Sequence, residues 1–283
     1  FVSEWYINMS LSWQPVQYIG QCCQWTCYKS IESVFSDYYR QYCYYHNIMK
    51  NRVVNLFITL PLASIGLYLI FLVVAMVSYN GGNTINHHGI GYSFSLNFLS
   101  DLGRASGYAG QDNSLSFYSF NLSLAIIGVA FFAYFLFLPS LHNLNPRSFF
   151  FSRIGSFFGC FASICFAGVG LTPADTLEDI HIFFANWVFR SMSLAVLFYV
   201  LTFIYLNKDN LYLSLLFLLS GIVILTHIVI ADIDLAVYMS NPHYARVLSQ
   251  KAAVIAMIFM VPLMAIINLR QLRDRTIYLR IFG

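Results

Sequence analysis

Residues 211–231 read LYLSLLFLLSGIVILTHIVIA and contain no Asp, Glu, Lys or Arg. A helix needs about 20 such residues to cross the ~30 Å hydrocarbon core of a bilayer. Five further runs have a similar character: 53–78, 115–141, 149–171, 182–206 and 247–269. No water reaches backbone groups in lipid, so each run must satisfy its own amides as a helix. The polar–apolar alternation of a membrane barrel strand is absent. The chain therefore reads as all-α, a polytopic membrane bundle of six transmembrane helices.

Composition agrees with that reading. Of the 283 residues, 59% are hydrophobic and only 10% charged, and the mean hydropathy is +0.66. Soluble domains carry about 25% charged residues, so this chain could not clothe itself in water. A net charge of +3 is too mild for a nucleic-acid partner and suits basic loops beside a membrane.

Those basic residues fall on one side. Lys50 and Arg52 precede the first run, Arg147 and Arg153 flank the second link, and Lys208 lies in the fourth. Arg270, Arg273, Arg275 and Arg280 follow the sixth run. The other side carries Asp101, Asp112, Asp175, Glu178, Asp179, Asp232 and Asp234 against Arg104, Arg246 and Lys251. Lys and Arg in short loops mark the cytoplasmic face. Both termini are expected in the cytoplasm and the protein in the cell membrane. The acidic loops 79–114 and 172–180 then face outward, where function concentrates on loops held by a scaffold.

Residues 1–48 differ from the rest. They are rich in Tyr, Trp and Gln and hold Cys22, Cys23, Cys27 and Cys43, without a long apolar run. Met49-Lys50-Asn51-Arg52 then leads at once into the first run, the pattern of a native start. The expected division is an atypical extension over 1–48, upstream of a native start at Met49, and a six-helix domain over 49–283. An interfacial amphipathic segment is the alternative. The Cys cluster lacks the paired spacing of a zinc module.

Polar residues interrupt the outer loops at particular places. The sequence NFLSDLGR, Asn97–Arg104, sets Ser100, Asp101 and Arg104 among Phe98, Leu99 and Leu102. A short helix lying in or re-entering the interface fits it, with Ser100 capping and Gly103 ending it. Phe120 and Asn121 open the second run with Gly128 inside it. Between runs three and four, Pro173 stops a helix, Thr172 and Asp175 suit caps, and His181 enters the next helix.

Leu99–Gly103, Phe120-Asn121 with Gly128, and Gly170…Pro173…Asp175…His181 resemble domain-of-unknown-function family 998, six-helix membrane proteins of prokaryotes. The resemblance covers about residues 49–272. It implies the architecture and a site location, but no reaction. The chain is also distantly similar to six-helix proteins of lipid remodelling and lipid distribution, an analogy of fold alone.

Asp101, Asp175, His181, His227, Asp232 and Asp234 all fall toward the outer end. His227 and Asp234 are seven residues apart, hence expected on one helical face. An ionisable residue inside an apolar run is costly and often functional. Asn186 and Arg190 share a face of the fourth helix; Arg190 could pair with Asp101, Asp232 or Asp234 or hold a lipid phosphate, and Asp101 is expected to take Arg104 or Arg190 as its cationic partner. The expected function is an outer-leaflet polar pocket for a lipid or amphiphile, with Ser100, Asp101, Arg104, Asn121, Asn186, Arg190 and Asp234 as binding residues. The alternative is an intramembrane lipid hydrolase with Asp101, Asp175, His181 and His227 as catalytic groups. No metal ligand set is assigned and no cofactor is expected, zinc entering only under the hydrolase reading. A small transporter is a further alternative, without the inverted repeat that would support it. Membrane lipids are the expected partners; no protein partner is legible. His87-His88 reads as an exposed loop pair.

Overall fold

The structure, a computed structural model, describes residues 52–143, 145–206, 211–231 and 233–282, with side chains to 272. The expectations for 1–48, Met49, Lys50, Lys208, Asp232 and the side chains of Arg273, Arg275 and Arg280 lie outside them. The chain divides into two units, Val54–Gln271 and a second of Phe1–Val53 with Leu272–Gly283; the bundle is the first.

Among the described residues, six helices are long and apolar enough to cross a membrane. Helix α1, Leu60–Ser78, is entered through a π-helical turn, Asn55–Thr59. Helix α2, Ser114–Phe137, tightens into a 3-10 turn at Leu138–His142. Then follow α3, Pro146–Leu171; α4, Glu178–Leu206; α5, Leu211–Ala231; and α6, Pro242–Phe282. Each sequence-derived run lies within one of these helical spans, and the ends extend where polar chemistry starts a helix. Asn145 caps α3 by accepting from the Arg147 and Ser148 amides at 3.0 and 3.2 Å, with Pro146 behind it; Pro is preorganised for a first helical turn. Glu178 and Asp179 open α4, where carboxylates oppose the helix dipole.

Helices α1 to α5 each pack on the next, most extensively α3 on α4, and α5 meets α6 where His227 reaches Ser249. Close approach rests on small residues, as expected where lipid gives no hydrophobic drive to association. A Cβ on Gly128 of α2 would meet the Ser163 carbonyl of α3 at 2.9 Å. Polar side chains tie the interior: Ser156 Oγ to Tyr199 OH at 2.6 Å, and Asn268 Nδ2 to Phe57 O and Tyr134 OH at 3.2 and 2.9 Å. Val77, Val129 and Phe157 face outward, the apolar exterior a bilayer would cover.

Candidate functional site

Loop 79–113 does not lie across the helix ends; it dips into the bundle. The Leu99 amide donates to Gln250 Oε1 at 2.9 Å. Gln250 is eight residues into α6, about 12 Å below its start at ~1.5 Å per residue. The 3-10 turn Leu99–Gly103 is therefore re-entrant. Irregular backbone at such depth requires its polar groups to be met by protein, and they are. Ser116 Oγ donates to Leu102 O at 2.9 Å and Asn113 Nδ2 to Arg104 O at 2.8 Å. Asn121 Nδ2 reaches Gly103 O at 3.4 Å. Gly103 admits no side chain, since a Cβ would lie 2.7 Å from Asn121 Oδ1 and 2.8 Å from the Phe120 ring.

Asp101 organises the turn from inside it. Its Oδ2 accepts from Asn97 Nδ2 at 2.9 Å and the Phe98 amide at 3.0 Å, and its Oδ1 from Tyr108 OH at 2.9 Å. The turn is thus capped by Asp101 reaching back to Phe98, not by Ser100. Burial pushes the Asp101 carboxyl above the usual range, opposed by Asn97, Tyr108, the Arg104 charge and the Phe98 amide. Burial beside that carboxylate pushes the Tyr108 phenol up to about 12. Asn97, wholly buried, also donates to Gly82 O at 2.7 Å, and its own carbonyl accepts from Lys251 Nζ at 2.5 Å.

Among the described residues, no cationic side chain forms an ion pair with Asp101. Neither Arg104 nor Arg190 makes an ion pair with it; neutral donors hold the carboxylate instead. The Arg104 guanidinium lies 4.0 Å over the Tyr108 ring, one aromatic removed from the acid. Arg190, half-buried on α4, has its guanidinium 5.7 Å from the Trp187 ring centre. Asp175 caps no helix. Its two oxygens accept the Ala105 and Ser106 amides at 2.9 Å each, tying the re-entrant loop to the α3–α4 link.

The two histidines are separately housed. His181 Nδ1 sits 2.5 Å from Thr172 O, and its Nε2 is buried without a partner, within electrostatic reach of Asp101, Arg104 and Asp175. His227 Nδ1 sits 2.9 Å from Ser249 Oγ, with its ring 4.4 Å from that of Phe189. The shared helical face expected for His227 and Asp234 is not formed. Helix α5 ends at Ala231, and Asp234 takes a left-handed φ of 61° before pairing with Arg246. Asn186 is half-buried on α4, away from the turn's hydrogen bonds. Among the described residues, no group of three or more His, Cys, Asp or Glu could hold a metal ion.

Beneath the turn lies a cavity of about 110 Å³. All six helices line it, and Leu99 and Ser100 form its roof beside Gln250. Its lining on α6 runs from Gln250 to Met264, roughly 21 Å along the axis at ~1.5 Å per residue. Apolar side chains dominate; Tyr68, Ser100, Tyr134 and Gln250 are the polar ones. The pocket is thus apolar, where a polar one was expected. Of the binding residues read from sequence, Ser100 alone lines it. Asp101, Arg104, Asn121 and Asp175 build the cap above, while Asn186, Arg190 and Asp234 are placed elsewhere. Sequence reading missed Asn97, Tyr108, Gln250 and the cavity; Lys251, buried inside an apolar run, carried a signal that could have been used.

A six-helix bundle with a re-entrant turn over an interior cavity defines a class, the multi-pass integral membrane proteins. No family model, curated protein or solved structure matches the chain.

Proposed function

We propose that this multi-pass protein of the cell membrane binds a lipid or other amphiphile inside the bundle. A short apolar part of the ligand enters the cavity, and its polar end lies under the 99–103 turn. The observation that carries this reading is the cavity itself, apolar along its length and polar at its roof, where Ser100 and Gln250 meet. Ligand sites are concave and mostly apolar with a few placed polar groups. Leu99–Gly103, Phe120-Asn121 and Asp175, residues that carry the resemblance drawn from the sequence, meet around the same turn.

The hydrolase reading draws less support. Its four candidate groups are engaged in the cap or housed apart, and none of them lines the cavity. Filling the cavity tests the binding reading. Ala185→Phe and Val188→Phe project into it, and native mass spectrometry counts bound amphiphile. Both variants should lose a bound species that wild type keeps through detergent exchange. Retention of the same species by a folded variant overturns the reading.

A further inference from the structure

We infer a second lipid site, on the outside of the bundle: a groove along α5 that takes an acyl chain of a phospholipid, with the lipid phosphate against Arg246. It is independent of the interior cavity. One wall is α5 from Ile222 to Ile230, and the other is Leu235 and Met239 of the link between α5 and α6. The link folds back because Asp234 adopts a left-handed φ of 61°. The Ile233 amide closes on Ile228 O at 3.2 Å, and the Val237 and Met239 amides close on Asp234 O and Ala236 O at 3.1 and 2.9 Å. Ala236 is fully buried, and Arg246 of α6 holds the Asp234 carboxylate. The second wall is therefore fixed in place. The groove has a volume of about 330 Å³, more than twice the ~150 Å³ that encloses a benzene. From 222 to 230 it runs about 12 Å along the helix at ~1.5 Å per residue, less than half of a ~30 Å hydrocarbon core.

Three observations say what fills it. The groove opens on the apolar exterior, since Ile222 and Leu225 are each 51% exposed, so lipid chains are its immediate neighbours. Its lining holds no Gly, Ala or Ser, the residues on which helices approach one another in membranes. Helix α2 meets α3 in that way at Gly128, and Gly221 of α5 is turned inward onto Val196 of α4. The groove's one hydroxyl, on Thr226, is bonded within α5 to Ile222 O at 2.9 Å. Walls of Leu, Ile, Val and Met suit a flexible chain, not a second helix. Charge is the third observation. Asp234 directly precedes Leu235, and α5 has just ended at Ala231, so the pair with Arg246 stands at the headgroup end of the groove. Its side chains are 33% exposed for Arg246 and 52% for Asp234. A guanidinium carries five N–H donors in a planar fork that matches phosphate oxygens, and Asp234 occupies only one of its ends.

The test is native mass spectrometry of the full-length protein in mixed micelles, titrated with dioleoylphosphatidylglycerol. A parallel titration uses dioleoylglycerol, which has the same chains and no phosphate. Wild type should bind the phosphatidylglycerol at least about tenfold tighter, the weight of charge-assisted hydrogen bonds to phosphate. Arg246→Gln should erase that difference. Thr226→Phe fills the groove from a lipid-facing position and should weaken phosphatidylglycerol binding about tenfold or more. Val129→Phe, on the exterior of α2, and Val188→Phe, in the interior cavity, should leave it unchanged. Equal affinity of wild type for the two lipids overturns the inference, as does unchanged phosphatidylglycerol binding in either Arg246→Gln or a folded Thr226→Phe. Loss of the lipid in Val188→Phe alone would place it inside the bundle and overturns the inference too. A lipid-free dimer that Thr226→Phe dissociates does the same, since a second copy would then fill the groove.

Discussion

Asp101→Ala removes the one acceptor that three buried donors share, and the loss can be sized. Asn97 Nδ2, the Phe98 amide and Tyr108 OH all point at its carboxylate from 2.9–3.0 Å, and the residue is 3% exposed. A buried donor left without a partner costs about 1–3 kcal/mol. Asn97 keeps Gly82 O as a second acceptor, and Tyr108 lies near enough to solvent to rehydrate in part. A total of about 3–4 kcal/mol follows, at the upper end of ordinary single substitutions. The assay is equilibrium unfolding in mixed micelles, run as double-mutant cycles. Asp101→Ala with Tyr108→Phe should be coupled by about 1 kcal/mol or more, since one hydrogen bond joins them. Asp101→Ala with Asn268→Ala should be additive within about 0.5 kcal/mol, because Asn268 bonds Phe57 and Tyr134 near the other end of the bundle. A loss under about 1 kcal/mol for Asp101→Ala, or strict additivity with Tyr108→Phe, refutes the role assigned to the carboxylate.

Other outcomes follow from the same contacts. The Asp101 carboxyl is raised in the fold by burial, so the folded protein holds that proton at higher pH than the unfolded chain does. Stability of wild type relative to Asp101→Asn should therefore increase as pH falls through the raised value toward the ordinary carboxyl range, and a decrease over that window contradicts the sign. Asp175→Ala frees the Ala105 and Ser106 amides; it should cost about 1–2 kcal/mol and speed hydrogen exchange at those two positions, measurable by mass spectrometry. In a cysteine-free background, Ile90→Cys should react with an impermeant thiol reagent added to intact cells and Asn143→Cys only after lysis. Both positions are exposed and lie at opposite helix ends, and equal labelling from outside contradicts the charge-derived orientation.

The helices were legible because lipid makes a simple demand, about 20 apolar residues per span. Residues 211–231 meet it with no charge at all, and α5 ends at Ala231 as read. The importance of 97–104 was legible too, since Asp101 among leucines has no cheap place to go. Its bonding was not. Charge counting suggested Arg104 or Arg190 as partner, whereas three neutral donors solvate the carboxylate, and two of them, Asn97 and the Phe98 amide, are near neighbours in sequence. Asp175 looked like a helix cap because Pro173 precedes it, yet it bonds amides 69 and 70 residues away. Seven-residue spacing tied His227 to Asp234 only while the helix continued, and it does not. The cavity had no sequence signature, because an apolar residue facing a void and one facing a neighbour look alike in a string. Gln250 stands out only once Leu99 is seen against it.

Photolabelling with a short-chain amphiphile carrying an alkyl diazirine asks whether the interior of the bundle holds a ligand. With sites mapped by mass spectrometry, labels are expected on cavity residues such as Met257, Met260 and Met264 of α6, and they should vanish in Val188→Phe. Labels confined to outward residues such as Val77, Val129 and Phe157, unchanged by filling the cavity, would contradict the account.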